Sequence, residues 1–564
     1  MKRLPNIINL RDVVNLRPVR LLHSIILAAM LSQLTLSSCS DFVEVDSNSV
    51  IKTDDYAISD QASARYTMFG ILAQLQHIAD RYVILGELRG DLLTTTENST
   101  QDLHDIAEFN ADSLNAYHIE ADLYAIINSC NYLLSRIDTS VVITNNDGER
   151  EKVLKYEMAQ AKAIRAWSYL QLLLDYGTAA YFTEPITDVD QEVSSQDMNL
   201  DALAPVLIED LLPWVPTDEE TAELMPDYGT VGDYASQQLF IPVRAILADL
   251  YLYTNDYEAA ARMYYAHLLS NGLTVAARRN SWTDNTFTRE SGNWTSLFSL
   301  ASEMQTVIQC TTDYIDSQSQ LATMFSEKDD YLLAPSTAGL HIWESQTYAY
   351  GSTVSTLGDL RGPYGTYNYT TLLRGETETE IPSVTKYKNL PQTVVLYRTS
   401  TIYLRYAEAI NRLGKHNMAF ALLKYGLTRE KLLVPSYVPA SEFTDADGTV
   451  IPYLDFGQGN LNYDATFSAN VGIHSRGCGE RISEFRSYAI ESGVDALTFV
   501  EDLLLTEMAL ETGYEGNRFA DILRIGRHRQ SIAFVAATIA RRAPALESFL
   551  QDETHWYLPS SRGR

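Results

Sequence analysis

Apolar residues recur at i, i+3, i+4 and i+7 spacing in eight stretches of this chain, near Ala64 to Leu85, Tyr124 to Ile137, Val153 to Tyr176, Leu203 to Leu212, Val243 to Leu269, Val395 to Leu413, Met418 to Leu427 and Phe499 to Ile525. That spacing lines one face of an α-helix, so the expected fold is mainly α rather than a sandwich or barrel of alternating strands. Two stretches carry the pattern of a tetratricopeptide helix pair. In the first, Leu247-Ala248, Tyr251, Tyr257, Ala260 and Tyr264 flank an Asn255-Asp256 turn; in the second, Tyr406-Ala407, Ile410, Gly414, Ala419 and Leu423 follow similar spacing. The alanines let antiparallel helices approach, while the larger residues fill the space toward a neighbouring pair. Two generic helix pairs would also fit this pattern, and stacking the units as repeats requires the chain between them to be looped out.

Two intervals break the helical rhythm. From about Asn271 to Gln392, Trp282, Trp294, Trp343 and many tyrosines sit among Ser, Thr, Gly and Asn, with turn signals at Gly351-Ser352 and Gly362-Pro363. From about Pro435 to Gly479, Asp447-Gly448 and Gly457 to Asn460 punctuate short strand-like pieces. These insertions, near 271–392 and 435–479, read as a loop-rich lobe with short strands on a helical scaffold. No linker composition divides them from it, so residues 39–564 are expected to form one body.

Residues 1–38 read as a bacterial lipoprotein signal. Lys2, Arg3, Arg11, Arg17 and Arg20 precede an apolar run that begins near Leu21 and ends at Leu36-Ser37-Ser38-Cys39. The run is short and interrupted by Ser, Gln and His23, which suits export better than a membrane span. Cleavage before a lipid-modified Cys39 would leave the rest tethered by acyl chains, each buried CH₂ contributing about 0.8 kcal/mol. An ordinary secretory signal that contains Cys39 is the alternative.

The formal charge of −30 argues against nucleic acid and against electrostatic docking to anionic lipid, and fits neutral or cationic ligands. Cys130, Cys310 and Cys478 are odd in number and widely spaced, as small buried residues are, and the glycines around His474 and Cys478 favour a loop. No phosphate loop, His-Glu-x-x-His or nucleophile elbow occurs, so no catalytic residue, metal or cofactor is assigned. Asp445-Ala446-Asp447-Gly448 lacks the further ligands of a calcium loop and reads as a polar turn. Glu507, Glu511 and Glu515 share one helical face that Arg518 could reach, Asp521 being its other candidate partner, and read as packing charges.

Aromatic usage points to binding. The chain has 35 Tyr against 17 Phe, an excess of rings whose faces can stack on a sugar or a peptide side chain while their hydroxyls hydrogen-bond around it. In the first insertion the candidates are Trp282, Trp294, Trp343, Tyr348, Tyr350, Tyr364 and Tyr367, with Asp359 and Arg361 as polar partners. Each ring either belongs to the lobe core or to a ligand platform.

Several segments together resemble the SusD/RagB family of Bacteroidetes surface nutrient-binding lipoproteins. They are Cys39 to Val45 with its acidic residues, Gly86-Glu87-Leu88-Arg89-Gly90-Asp91, Ile126 to Asn131, Ala163 to Tyr169 followed by Asp175-Tyr176-Gly177, Tyr403 to Ala409, Glu515 to Arg524, and His555-Trp556-Tyr557-Leu558-Pro559. The resemblance spans most of residues 39–564. It implies an outer-membrane, lipid-anchored protein facing the cell exterior that captures a nutrient, a glycan first of all, and delivers it to a SusC-like TonB-dependent transporter. It also implies a loop-built binding surface that includes the region after the first helix, here Asp91, Glu97 and Asn98. Where the family often has Glu-Arg in its C-terminal helix this chain has Glu507-Met508, so one ion pair is expected to be missing. The rival readings are a RagB-like peptide-uptake lipoprotein, a surface glycoside hydrolase and a scaffold lipoprotein without a small ligand.

Overall fold

Asp60 opens the first long helix: its side chain accepts from the Ser63 N–H at 2.9 Å and caps α1 (Gln61–Leu88). The computed structural model describes residues 57–561 apart from 145–149, 153, 189, 192–193, 274–302, 311–317, 326–329, 351–352, 356–357, 375–376, 391, 458–460, 462–471, 478–489 and 491–492. Residues 1–38, Cys39, Trp282, Trp294 and Cys478 thus lie outside the described residues. Residues 58–564 cluster as one compact unit.

Strand β1 (Leu93–Thr95) follows, then α2 (Glu120–Arg136), α3 (Lys155–Tyr176) and α4 (Leu200–Leu211). Helix α3 is buried around most of its circumference, which marks it as a core helix. It stops at Gly177, whose φ of 76° is left-handed and whose missing Cβ leaves room for the Tyr557 ring. The first helix pair is α5 (Val243–Tyr253) and α6 (Tyr257–Asn271), with Asp256 capping α6 by accepting from the Ala259 N–H.

The chain then leaves the stack through β2 (Met304–Gln309), β3 (Leu333–Pro335), α7 (Thr337–Glu344), the hairpin β4 (Tyr348–Tyr350) and β5 (Thr353–Ser355), and a longer hairpin β6 (Tyr367–Arg374) and β7 (Thr377–Val384). It returns through β8 (Thr393–Arg398) into α8 (Thr399–Arg412), which pairs with α9 (His416–Lys424). Helix α8 packs directly against α6, so two repeat-like pairs separated by more than a hundred residues are neighbours in space. Helices α10 (Ala496–Thr512), α11 (Arg518–Arg529) and α12 (Ile532–Ala540) extend the stack, each packing on the one before, and α1 crosses α2, α3 and α11. The fold is mainly α, with tetratricopeptide-like pairs and an irregular lobe looped out between them.

Two local readings change. The Val395 to Leu413 stretch is not one helix: Thr393–Arg398 is a strand, buried at every residue and paired antiparallel with β2, because β-branched and aromatic side chains buried on both faces suit a strand. Between Pro435 and Gly479 the described residues hold a short helix (Ala440–Phe443), one bridge (Thr444↔Val450) and 3₁₀ turns rather than strands. Asp445 Oδ1 accepts from the Asp447 and Thr449 N–H groups, which makes the Asp-Gly segment a tight polar turn. Helices α7 and α12 were not read from periodicity, being only two turns long each.

Candidate functional site

Five of the segments that carry the family resemblance, at Gly86 to Asp91, Asp175 to Gly177, Tyr403 to Ala409, Glu515 to Arg524 and His555 to Pro559, converge in the interior, while Cys39 to Val45 lies outside the described residues. A Cβ on Gly86 would collide with the Gly516 carbonyl, so this glycine lets α1 meet the turn before α11 backbone to backbone, and a Cβ on Gly90 would sit 2.8 Å from Arg518 Cγ, so that glycine leaves room for the Arg518 side chain. Across that contact the Gly516 N–H donates to Glu87 Oε1 at 2.7 Å, and Arg518 grips Asp91 with bonds of 2.6 and 3.0 Å. Arg89 pairs with Asp175, donates to the Trp556 carbonyl at 3.4 Å and lies 4.1 Å from the Phe519 ring centroid. The Leu558 N–H donates to the Asp175 carbonyl at 2.8 Å, and Glu408 on α8 receives Arg524 through bonds of 2.8 to 3.1 Å. These motif residues satisfy one another and fix the first helix to the last ones. Asp91 is therefore a packing residue, not part of a binding rim: it is buried and both oxygens are committed to Arg518.

The charge states in this junction differ. Burial opposes ionisation of Glu408, but Arg524 and His528 together outweigh it and hold the carboxyl down at about 2. Burial dominates at Glu87 and pushes it up to about 7, its second oxygen having no hydrogen-bond partner among the described residues. The Met508 sulfur lies 3.7 Å from Arg524 Nη2.

A second cluster fastens the lobe to α10. Arg361 donates to Glu507 at 2.6 Å, Glu511 at 2.8 Å and Asp359 at 2.7 Å. Arg398 reaches Glu303 at 2.7 Å, Glu511 at 3.2 Å and Glu515 at 3.0 Å. Arg476 pairs with Glu303 and Glu511, Lys386 with Glu515, and His474 Nδ1 lies 2.7 Å from Glu507. Burial raises the cost of ionising Glu511, yet Arg476, Arg398 and Arg361 hold it well below the usual carboxylate range. Glu507 and Glu511 act in packing on one face of α10, as their spacing indicates, whereas Glu515 lies past the end of that helix at Thr512 and Arg518 turns to Asp91. Buried charges at this density persist because each is paired.

The lobe candidates divide accordingly. Trp343 is 0 % exposed; it stacks on Tyr514 with centroids 5.8 Å apart, meets Tyr367 edge-on and donates from Nε1 to the Leu510 carbonyl at 3.3 Å. A ring enclosed in this way fills the interface between lobe and α10 and offers no face to a ligand. Tyr367, Asp359 and Arg361 are likewise interior. Tyr348 and Tyr350 lie on strand β4, and Tyr364 in the turn at Gly362–Thr366.

Glu97 and Asn98 are exposed, on the turn after β1. Strand β1 pairs antiparallel with β3, Leu93 opposite Pro335, and Thr96 Oγ1 donates to the Tyr331 carbonyl at 2.7 Å while Asn98 Nδ2 donates to it at 3.4 Å. Strand β3 in turn packs against β7, whose partner β6 carries Tyr369; the Tyr369 hydroxyl donates to Glu344 at 2.7 Å. A rim of polar and aromatic groups thus surrounds β1, β3 and the β6–β7 hairpin. Tyr369 and Glu344 were not singled out from sequence; the alternation of Tyr367 and Tyr369 along one strand was the available signal.

No family model matches the chain. A SusD-like protein of Formosa agariphila is 22% identical over 434 residues, covering 71% of this chain and 80% of the relative. Among solved structures, a SusD superfamily protein from Bacteroides thetaiotaomicron has a TM-score of 0.53 at 15% identity, covering 91% of this chain and 100% of its own. One from Bacteroides vulgatus has a TM-score of 0.53 at 15% identity over 82% of this chain and 88% of its own. Surface glycan-binding protein A from Bacteroides thetaiotaomicron, in complex with laminarihexaose, has a TM-score of 0.51 at 15% identity over 88% of this chain and 96% of its own.

Proposed function

We propose, from the premise that this chain is SusD-like in sequence and in fold, that it is a lipoprotein of the outer-membrane surface that binds a nutrient glycan and delivers it to a SusC-like TonB-dependent transporter. The observation that carries the glycan reading is the likeness, over 88% of this chain, to a protein of the same fold in complex with laminarihexaose. The lipid anchor rests on Leu36-Ser37-Ser38-Cys39. Among the described residues no helix is long and apolar enough to cross a membrane, in keeping with attachment through acyl chains. Binding rather than catalysis is the reading that the likeness to SusD-like proteins supports.

The ligand is expected at the rim around Glu97, Asn98 and Tyr369, with Trp282, Trp294, Tyr348 and Tyr350 as further candidates. Exposed groups on a turn held by a rigid scaffold suit recognition. Calorimetric titration with a panel of neutral hexasaccharides tests this. Asn98→Ala and Glu97→Ala should each weaken binding about fivefold or more if they are hot spots, with unchanged melting temperature. Unaltered affinity in both, and in Tyr369→Ala, would remove the rim. Purification from outer membranes in mild detergent should bring a large β-barrel protein along, and recovery as a free monomer across detergents would count against the transporter partnership.

A further inference from the structure

The amino-terminal half of α1 presents a second ligand-shaped feature, remote in sequence from the rim residues and assigned by none of the motifs. An open cleft of about 810 Å³ lies between α1 and the segment at Asp227-Tyr228, lined by Gln61, Arg65, Tyr66, Phe69 and Gly70 on the helix side. Tyr228 is held rigidly. Its hydroxyl donates to the buried Glu157 at 2.9 Å, its ring meets Phe69 edge-on at 5.5 Å and Phe240 at 6.0 Å, and the Arg65 guanidinium lies 5.1 Å from the Phe69 centroid and 5.3 Å from that of Tyr228.

Two residues on the open side have no packing explanation among the described residues. Tyr66 is 78 % exposed, and a Cβ added to Gly70, one turn further on, would meet nothing within 4 Å. Glycine inside a long helix weakens it, so a glycine with no close neighbour leaves that surface flat without any gain in internal packing. A flat shelf at Gly70, an exposed phenol beside it and a fixed aromatic wall opposite form a stacking platform, and Arg65, Asp227 and Gln61 place donors and acceptors of both signs around it. From Gln61 to Ala73 the lining runs along twelve helical steps of about 1.5 Å each, which suits an extended chain lying along the helix.

We infer that this cleft is a second saccharide subsite, taking a neutral oligosaccharide whose ring faces lie on Tyr66 and across Gly70 while its hydroxyls bond Arg65 and Asp227. The opposite charges of Arg65 and Asp227 favour a neutral ligand over a uronate or sulfate ester. The choice of a saccharide rests on the proposed glycan-binding function; the location rests on the cleft alone.

The test is calorimetry and saturation-transfer NMR on the mature chain with laminarihexaose, maltohexaose, cellohexaose, xylohexaose and mannohexaose. Tyr66→Ala and Gly70→Gln are measured singly beside Asn98→Ala, with thermal unfolding for each. Two binding events are expected in the parent chain for at least one hexaose. Tyr66→Ala and Gly70→Gln should each weaken one of them about fivefold or more and leave the other intact, with the melting temperature unchanged in the first and unchanged or raised in the second. A single event untouched by both variants overturns the subsite while the glycan reading stands. Binding of short peptides in place of every hexaose, or no binding of any hexaose, overturns both.

Discussion

Asp91 and Asn98 stand seven residues apart and belong to different parts of the molecule. Asp91 is buried with both oxygens on Arg518, at the junction where the first helix meets the last ones; Asn98 is exposed on the turn after β1. The segments that resemble a family lie on the first side of this divide. They consist of glycines that allow close contact and of charges such as Arg89 and Asp91, whose ionic partners lie 86 and 427 residues away, which is the chemistry of holding a fold. The rim holds polar and aromatic groups at the surface, Glu97 and Asn98 on the turn and Tyr369 on the hairpin. Family resemblance in this chain therefore reports the scaffold, and ligand identity has to be sought where the resemblance stops.

Substitutions on the two sides should separate stability from binding. The largest effect is expected at the α10 cluster: Glu511→Gln leaves Arg361, Arg398 and Arg476 without the carboxylate they share, and loss of one partner from a buried ionic group costs about 3–5 kcal/mol. Denaturant unfolding would show this as a lowered midpoint, and an unchanged midpoint would mean that the lobe is not fastened through α10. At the motif junction, Gly86→Ala forces α1 away from Gly516 and should cost about 1–3 kcal/mol in the same assay, as overpacking does.

Two carboxyls in the junction should respond to pH in opposite senses. Glu87 is raised by burial from its ordinary 4.5 to about 7. The unfolded chain gives up that proton first, so the contribution is fully present below about 4.5 and is lost as pH rises through about 7. Glu87→Gln should flatten that fall and gain about 2–3 kcal/mol relative to the parent between mildly acidic and mildly alkaline conditions, since one pKa unit is worth about 1.4 kcal/mol. Against the opposing effect of burial, Glu408 is held at about 2, below an ordinary 4.5, by Arg524 and His528 together. Its contribution is present above its ordinary value and lost as pH falls through about 2, so Glu408→Gln should destabilise at neutral pH and not near pH 2. Identical pH slopes in both variants would show that the two sites do not differ as described. The smallest effect on stability is expected on the other side of the divide: Glu97→Ala should not shift the unfolding midpoint measurably.

Much of the scaffold was legible in the sequence because helix burial repeats every three to four residues and leaves a periodic trace. The Leu247 to Tyr264 and Tyr406 to Leu423 patterns located two helix pairs that the structure stacks on each other across the looped-out lobe. The strand at Thr393–Arg398 escaped because a run buried on both faces has no period to separate strand from helix. The site was less legible for a physical reason visible at Asp359, Arg361 and Trp343. In a loop-rich segment they have the composition of a binding patch, but the partners that bury them, Glu507, Glu511 and Tyr514, lie well over a hundred residues away. Cys130 and Cys310 were simpler: both are buried, and burial pushes each thiol up to about 12, as expected of small core residues. Tyr66 and Gly70 carried a faint signal, an aromatic ring and a glycine one turn apart on a helix face away from the apolar stripe.

Glycan capture without cleavage is what a scaffold with a separate surface rim is proposed to perform. Incubation of the purified mature chain with the neutral hexasaccharide panel, read by calorimetry and by mass spectrometry of the recovered sugar, tests it most directly. The account predicts saturable binding of at least one hexaose, recovered at full length. Shortened products, or no heat from any hexaose under conditions where the chain is folded, would contradict it.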